Sequence, residues 1–185
     1  MTIPNILTLL RIALIPVFIT ASLVKAFDIA FFVFITAALT DALDGFIARR
    51  FDQKSKLGAV LDPGADKTML TAGYVVYTFG SVAPHRLPVG LTVTMLLRDV
   101  LIVLIAYLLY TRIRIRRFPP TVAGKLSTIF QAIALGVTMG ANMFLAPIAM
   151  PLLSLAHQAA LLLTLYSGFD YLRRWTRYLD ELPAA

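Results

Sequence analysis

Six long apolar stretches constrain the fold of this chain of 185 residues more than any other feature. They lie at residues 4–24, 28–48, 59–83, 87–110, 122–145 and 148–168. A helix that crosses a membrane needs about 20 mainly apolar residues, so each stretch is long enough for one crossing. Only 15% of the residues are charged, whereas a soluble protein carries about a quarter. We therefore expect an all-α integral membrane protein with six transmembrane helices, forming a single domain over residues 1–185.

Basic residues alternate between the two ends of these stretches. A single cation follows the first and the third stretch, Lys25 and Arg86, whereas groups of cations follow the second, fourth and sixth. Lys and Arg crowd the cytoplasmic loops of membrane proteins, so both termini are predicted to be cytoplasmic. The net charge of +7 is then explained by topology and by contact with anionic lipid headgroups, and no nucleic-acid partner is predicted.

Acidic residues inside the apolar stretches are the second unusual feature. Four of them are Asp41, Asp44, Asp62 and Asp66. A charge at mid-membrane costs about 2.5–3.5 kcal/mol, so such residues are functional candidates. Asp41 and Asp44 are three residues apart, and Asp62 and Asp66 are four apart, so each pair shares one helix face. Asp44 lies roughly 9 Å along a helix from Arg50, and both pairs are expected at the same shallow depth near the cytoplasm.

Four converging carboxylates predict a metal site. They would carry a charge of about −4, which two divalent cations would neutralise. The chain has no cysteine, and oxygen-only ligation suits Mg²⁺, Mn²⁺ or Ca²⁺ rather than zinc. Two metals about 3.5–4 Å apart form a clamp for in-line phosphoryl displacement. Gly45, Ala48 and Gly58 leave space for a ligand beside these acids, and Arg49 is placed to meet a phosphate.

An alternative from another class is a divalent-cation or proton transporter, because intramembrane acids also mark ion pathways. A transporter would spread its acids along a path through the bilayer. Here the four carboxylates are predicted at one depth, and Arg49 has no role in transport. The clustering therefore favours phosphoryl transfer.

Together these residues form the pattern Asp-x2-Asp-Gly-x2-Ala-Arg-x8-Gly-x3-Asp-x3-Asp. The pattern resembles the signature of the CDP-alcohol phosphotransferase (CDP-alcohol phosphatidyltransferase) family at every position. Further likeness to the branch of phosphatidylglycerophosphate synthases and CMP-forming cardiolipin synthases is carried by residues 4–11, Ile15-Pro16, Gly124-Lys125 with Thr128 and Gln131, and residues 167–171.

The resemblance implies a six-helix membrane enzyme of phospholipid biosynthesis, a homodimer with its active site facing the cytoplasm. Such an enzyme transfers the phosphatidyl group of CDP-diacylglycerol to an alcohol and releases CMP. We expect it in a bacterial inner membrane, in contact with membrane lipids.

The resemblance also assigns roles to the signature residues. Two Mg²⁺ or Mn²⁺ ions are implied as cofactors, with Asp66 acting also as general base. The implied metal ligands are Asp41, Asp44, Asp62 and Asp66. The implied nucleotide and diphosphate site consists of Gly45, Ala48, Arg49 and Gly58.

The acceptor is expected to be a glycerol-type alcohol. Arg11, Arg98 and Lys125 are candidates for binding it, although Arg98 could instead pair with a neighbouring acid, and Arg11 and Lys125 could be snorkelling residues. Glycerol 3-phosphate is the expected acceptor, as in a CDP-diacylglycerol–glycerol-3-phosphate 3-phosphatidyltransferase. Phosphatidylglycerol is the alternative, because Arg98-Asp99 in the fourth stretch is more like the cardiolipin synthases.

Overall fold

The computed structural model describes residues 3–50, 58–81, 83–112, 121–144 and 149–180. These residues form six α-helices, with no strand among them. The helices are α1 (Ile3–Leu23), α2 (Phe27–Arg50), α3 (Gly58–Phe79), α4 (Val89–Arg112), α5 (Val122–Phe144) and α6 (Ala149–Asp180). Each predicted apolar stretch coincides with one helix, which confirms the all-α class and the number of helices.

Three helices are long and apolar enough to cross a membrane in the part of the chain that the structure describes. The candidate spans are Val89–Leu108, Val122–Phe144 and Met150–Thr176, and a shorter apolar segment covers Leu9–Leu23. The chain therefore has the features of a membrane protein.

Helix α6 extends well beyond the apolar stretch that predicted it. The stretch ends at residue 168, whereas α6 continues to Asp180. The segment after Gly168 contains no Gly or Pro up to Asp180, and Asp170 pairs with Arg174 one turn later at 3.5 Å. The helix continues because its backbone meets no residue that breaks it, and such i,i+4 pairs add a few tenths of a kcal/mol.

The chain divides into two compact units, Met1–Leu87 with Leu135–Ala149, and Pro88–Ala134 with Met150–Ala185. In the first unit, α1 packs against both α2 and α3. The Phe18 and Phe34 rings of α1 and α2 lie 6.3 Å apart. Gly136 on α5 faces Phe34, with 3.6 Å between the ring and the place a Cβ would take. This distance is an ordinary van der Waals contact, so α5 packs against the α2 ring at this position.

The turn from α1 to α2 is a Schellman motif. The Ala26 N–H donates to the Ala21 carbonyl at 2.9 Å, and the Lys25 N–H donates to the Ser22 carbonyl at 3.2 Å. Lys25 has a φ of 64°, the left-handed conformation that this motif requires after the last helical residue. The turn is therefore fixed by backbone bonds although it lacks the usual glycine.

The connection from α3 to α4 is held by the side chain of Asn142 on α5. The His85 N–H donates to Asn142 Oδ1 at 2.9 Å, and Asn142 Nδ2 donates to the His85 carbonyl at 2.8 Å. The side-chain amide of Asn142 thus pairs with both the N–H and the carbonyl of His85, as a neighbouring backbone strand would.

In the second unit, α5 and α6 are joined by buried polar side chains. Ser127 and Thr164 share a hydrogen bond of 3.1 Å between their hydroxyl oxygens, and Gln131 Nε2 donates to Thr164 Oγ1 at 2.9 Å. All three side chains are buried. Hydrogen bonds of this kind fix the register of two apolar helices that would otherwise pack through interchangeable aliphatic contacts.

Candidate active site

The two predicted acid pairs lie on consecutive helices. Asp41 and Asp44 fall in the last turns of α2, and Asp62 and Asp66 fall in the first turns of α3. The side chain of Asp41 lies within the described part of the chain. The other signature side chains lie outside the described residues, namely those of Asp44, Gly45, Ala48, Arg49, Gly58, Asp62 and Asp66.

Asp41 forms an ion pair with Arg11 of α1. Arg11 Nη1 lies 2.8 Å from Asp41 Oδ1, and the Arg11 side chain is 1% exposed whereas that of Asp41 is 42% exposed. The structure thus places Arg11, predicted to bind the acceptor alcohol, beside Asp41, predicted to bind a metal ion. Such burial does not fit a snorkelling side chain, whose charged end reaches the interface.

Arg98 of α4 lies at the centre of a polar cluster in the second unit. Its Nε and Nη2 both donate to Ser167 Oγ on α6, at 3.2 and 2.8 Å. Nη2 also donates to the Gly124 carbonyl of α5 at 3.3 Å, and Nη1 donates to Asp99 Oδ1 at 2.7 Å. The guanidinium therefore ties α4 to both α5 and α6.

Tyr171 of α6 also belongs to this cluster, with its ring facing the guanidinium. The Arg98 Cζ lies 5.7 Å from the centre of the Tyr171 ring, within the range of a cation–π contact. The Tyr171 hydroxyl accepts a hydrogen bond from the Thr121 N–H at 3.3 Å. Thr121 caps α5, since its Oγ1 accepts from the Gly124 N–H at 2.9 Å. The ring thus contacts Arg98 while its hydroxyl anchors the start of α5.

Gly124 occupies the narrowest place in the cluster. A Cβ at this position would lie 3.0 Å from the Tyr171 hydroxyl, 3.1 Å from Arg98 Nη2 and 3.2 Å from Thr121 Oγ1. All three distances are shorter than ordinary carbon contacts. A glycine is needed at position 124 because polar groups of α4, α6 and the N-cap residue of α5 converge on it.

The structure brings some of the predicted site residues into contact with each other, and it also shows contacts with residues that were not predicted. It pairs Arg11 with Asp41 and shows the pairing of Arg98 with Asp99 that the sequence left open, while Lys125 is exposed. The assignment of site residues omitted Ser167 and Tyr171, although both lie in the segment that carried the family resemblance. Their spacing of four residues places them on one face of α6 and was the signal for a shared site.

The fold and the acid pairs together define a class: an all-helical membrane protein with carboxylates at the adjoining ends of two consecutive helices. A family model, CDP-alcohol phosphatidyltransferase, matches residues 1–166. The chain belongs to the CDP-alcohol phosphatidyltransferase family, which confirms the resemblance seen in the sequence.

Individual relatives carry two different names. The chain is 38% identical over 161 residues to the cardiolipin synthase (CMP-forming) of Rattus norvegicus, with 77% of this chain and 51% of the relative covered. It is 35% identical over 182 residues to the probable phosphatidylglycerophosphate synthase of Mycobacterium tuberculosis (strain ATCC 25618 / H37Rv), with 94% of this chain and 81% of the relative covered. The chain thus spans about half the length of the rat protein.

A third relative matches a shorter segment. It is the CDP-diacylglycerol--glycerol-3-phosphate 3-phosphatidyltransferase of Pectobacterium atrosepticum, 47% identical over 77 residues, with 40% of this chain and 42% of the relative covered.

Proposed function

We propose that this chain transfers the phosphatidyl group of CDP-diacylglycerol to a glycerol-type alcohol and releases CMP, a step of phospholipid biosynthesis. The observation that carries the proposal is the complete acid signature, located at the ends of α2 and α3 of a chain that belongs to this family. Family membership also favours transfer over ion transport. All residues from 1 to 185 are proposed to act as one domain.

Carboxylates suit the implied metals, because Mg²⁺ and Mn²⁺ prefer oxygen ligands. Asp41 supports this fit, since its carboxylate is partly exposed although it lies on an apolar helix. The proposed ligands of two divalent ions are Asp41, Asp44, Asp62 and Asp66. When bound, such ions stabilise negative charge on the phosphates during the transfer.

The residues of the chain supply the rest of the reaction. Asp66 accepts the proton of the acceptor hydroxyl, and the resulting oxygen attacks the phosphorus that carries diacylglycerol. The bond from this phosphorus to the bridging oxygen breaks, and CMP leaves with the electron pair. Gly45, Ala48, Arg49 and Gly58 are proposed to hold the nucleotide and its diphosphate.

Two acceptors are supported by different observations. Glycerol 3-phosphate, expected from the sequence, agrees with the names of the Mycobacterium and Pectobacterium relatives. Phosphatidylglycerol agrees with the name of the rat relative and with the Arg98-Asp99 sequence in the fourth stretch. Arg11, Arg98 and Lys125 are each proposed as candidates for binding the acceptor.

The proposed setting is a bacterial inner membrane, where the chain forms a homodimer and contacts membrane lipids. All six helices are proposed to cross the bilayer, with both termini and the active site on the cytoplasmic side. The basic residues after the second, fourth and sixth stretches support this orientation.

The test is CMP release by the purified chain with CDP-diacylglycerol and Mg²⁺ or Mn²⁺. Glycerol 3-phosphate and phosphatidylglycerol are offered separately. We expect release with one of them, and we expect Asp66→Asn to abolish it without loss of the folded state. Asp28→Asn is the matched control, because Asp28 is an exposed acid in the first turn of α2. Full activity of Asp66→Asn would contradict the proposed mechanism.

A further inference from the structure

One side of α6 is apolar and exposed over most of its length. Its four most regularly spaced members, here called the α6 apolar stripe, are between 62% and 67% exposed, namely Leu155, Leu162, Tyr166 and Phe169. Their successive spacings of seven, four and three residues place them on a single side of the helix. The stripe belongs to the candidate span Met150–Thr176. On a helix that crosses a membrane, such a stripe contacts the acyl chains of lipids.

A cation continues this stripe. Arg173 follows Phe169 by four residues, which is one helical turn, and its side chain is exposed. The ion pairs among the described residues do not include Arg173. The next residue, Arg174, lies about 100° further round the helix and pairs with Asp170 at 3.5 Å. Of these two neighbouring arginines, Arg173 therefore carries the charge on the lipid-facing side.

The position of Arg173 along α6 matches the level of the headgroups. Met150 and Phe169 are 19 residues apart, which is roughly 28 Å along a helix. The hydrocarbon core of a bilayer is about 30 Å thick, and a headgroup layer lies on each side of it. Arg173 lies about 6 Å beyond Phe169. With the stripe in the hydrocarbon core, the guanidinium thus lies among lipid phosphates.

The chemistry of this position favours an anionic lipid over a zwitterionic one. A guanidinium matches the geometry of phosphate oxygens through two parallel N–H groups. In phosphatidylcholine, the choline ammonium offsets the charge of the phosphate, whereas an anionic phospholipid has a net negative charge. A cation near the membrane surface is attracted by that net charge.

We propose that Arg173, at the end of the α6 apolar stripe, binds the headgroup phosphate of an anionic phospholipid in the surrounding bilayer. This lipid is a bound neighbour of the protein and is neither donor nor acceptor in the proposed reaction. The inference rests on the proposed crossing of the bilayer by α6 and does not depend on phosphatidyl transfer.

The test uses a tryptophan on the stripe as a fluorescent reporter. Trp175 is the one tryptophan of the chain, and it packs against the buried pair Ile105 and Tyr171. Trp175→Phe keeps an aromatic ring there, and Phe169→Trp in the same chain moves the tryptophan to the stripe, one turn before Arg173. This double variant is the reporter protein.

The reporter protein is reconstituted in phosphatidylcholine bilayers that contain brominated phosphatidylserine or brominated phosphatidylcholine. Bromines on the acyl chains quench a tryptophan that they contact. The ratio of quenching by the two brominated lipids measures how strongly the anionic lipid is preferred beside the stripe. Phosphatidylserine is chosen because it is neither substrate nor product of the proposed reaction.

We expect the reporter protein to prefer phosphatidylserine about fivefold, the effect of one cation near the membrane surface. Arg173→Gln should lower the ratio to about one, whereas Arg173→Lys keeps the charge and should keep most of the preference. Salt at 1 M shortens the screening length to about 3 Å and should also lower the ratio.

Two control variants keep Arg173. Asp170→Asn combined with Arg174→Gln removes the neighbouring ion pair without changing the net charge. Arg86→Gln removes one positive charge from an exposed side chain between α3 and α4. We expect both to retain the ratio of the reporter protein.

The outcomes separate the inference from what it rests on. A ratio near one in the reporter protein would overturn the inference, and so would an equal fall in Arg173→Gln and Arg86→Gln, because net charge would then explain the preference. Failure of both brominated lipids to quench would overturn the crossing of the bilayer by α6. The measurement contains no CDP-diacylglycerol, so its result is independent of the proposed reaction, which CMP release tests separately.

Discussion

Arg11 Nη1 on α1 lies 2.8 Å from Asp41 Oδ1 on α2. This ion pair joins the first helix to the first carboxylate of the family signature. The two partners differ in environment, since the guanidinium is buried and the carboxylate is partly exposed. Removal of the cation therefore leaves an acid that water can still reach, and the folded state should tolerate the change better than it would for a fully buried pair.

We expect Arg11→Gln to fold and to lose activity. Partners that orient metal-binding carboxylates typically change affinity or activity about 10–100-fold when they are mutated, and we expect a loss of that size. CMP release and thermal unfolding in detergent are measured together. Arg86→Gln is the matched control, because Arg86 is exposed and outside the proposed site. Activity of Arg11→Gln within about twofold of the wild type would remove Arg11 from the site.

Most of the fold could be predicted from the sequence, because about 20 consecutive apolar residues leave few alternatives to a helix. The continuation of α6 to Asp180 could not, since apolar content ends before the helix does. The acid pairs could be found from the sequence because a charged residue within an apolar helix is energetically costly and therefore marks a functional candidate.

The Arg98 cluster could be predicted only in pieces. Periodicity shows which residues share a face of one helix, as for Ser167 and Tyr171, and does not show which other helix meets that face. Arg98 and Ser167 are 69 residues apart in the chain. Their contact depends on how α4 and α6 pack, which no local pattern records.

A methyl group at position 124 should disturb the polar cluster. In Gly124→Ala the added Cβ would crowd the Tyr171 hydroxyl, Arg98 Nη2 and Thr121 Oγ1, all within 3.2 Å. Overpacking of this kind costs about 1–3 kcal/mol, which exceeds the gain of up to about 1 kcal/mol from alanine in a helix. We expect lower thermal stability. Gly90→Ala is the control, because nothing lies within 4 Å of its added Cβ, and a similar loss in both variants would contradict the steric explanation.

The hydroxyl of Thr164 should stabilise the packing of α5 on α6. Thr164→Val keeps the side-chain shape but removes the bonds to Ser127 and Gln131. Hydrogen bonds between membrane helices contribute about 0.6 kcal/mol on average and up to about 1.7 kcal/mol. We expect a loss in this range from thermal or denaturant unfolding in detergent. Thr176→Val provides the comparison, since Thr176 on the same helix is exposed and its hydroxyl donates to the Arg173 carbonyl three residues earlier. Equal effects would show that the interhelical bonds contribute nothing measurable.

Tyr171 makes two separate contacts: its ring packs against the Arg98 guanidinium, and its hydroxyl accepts a hydrogen bond from the Thr121 N–H. Tyr171→Phe keeps the ring near the Arg98 guanidinium and removes the hydroxyl that accepts from the Thr121 N–H. The buried N–H then loses this acceptor, and an unsatisfied group of this kind costs about 1–3 kcal/mol.

We expect Tyr171→Phe to unfold at a lower temperature than the wild type, because the Thr121 N–H loses its acceptor while the contact of the ring with Arg98 is kept. Tyr166→Phe on the same helix is the control, as the Tyr166 side chain is exposed. Wild-type stability of Tyr171→Phe would show that the hydroxyl does not anchor α5.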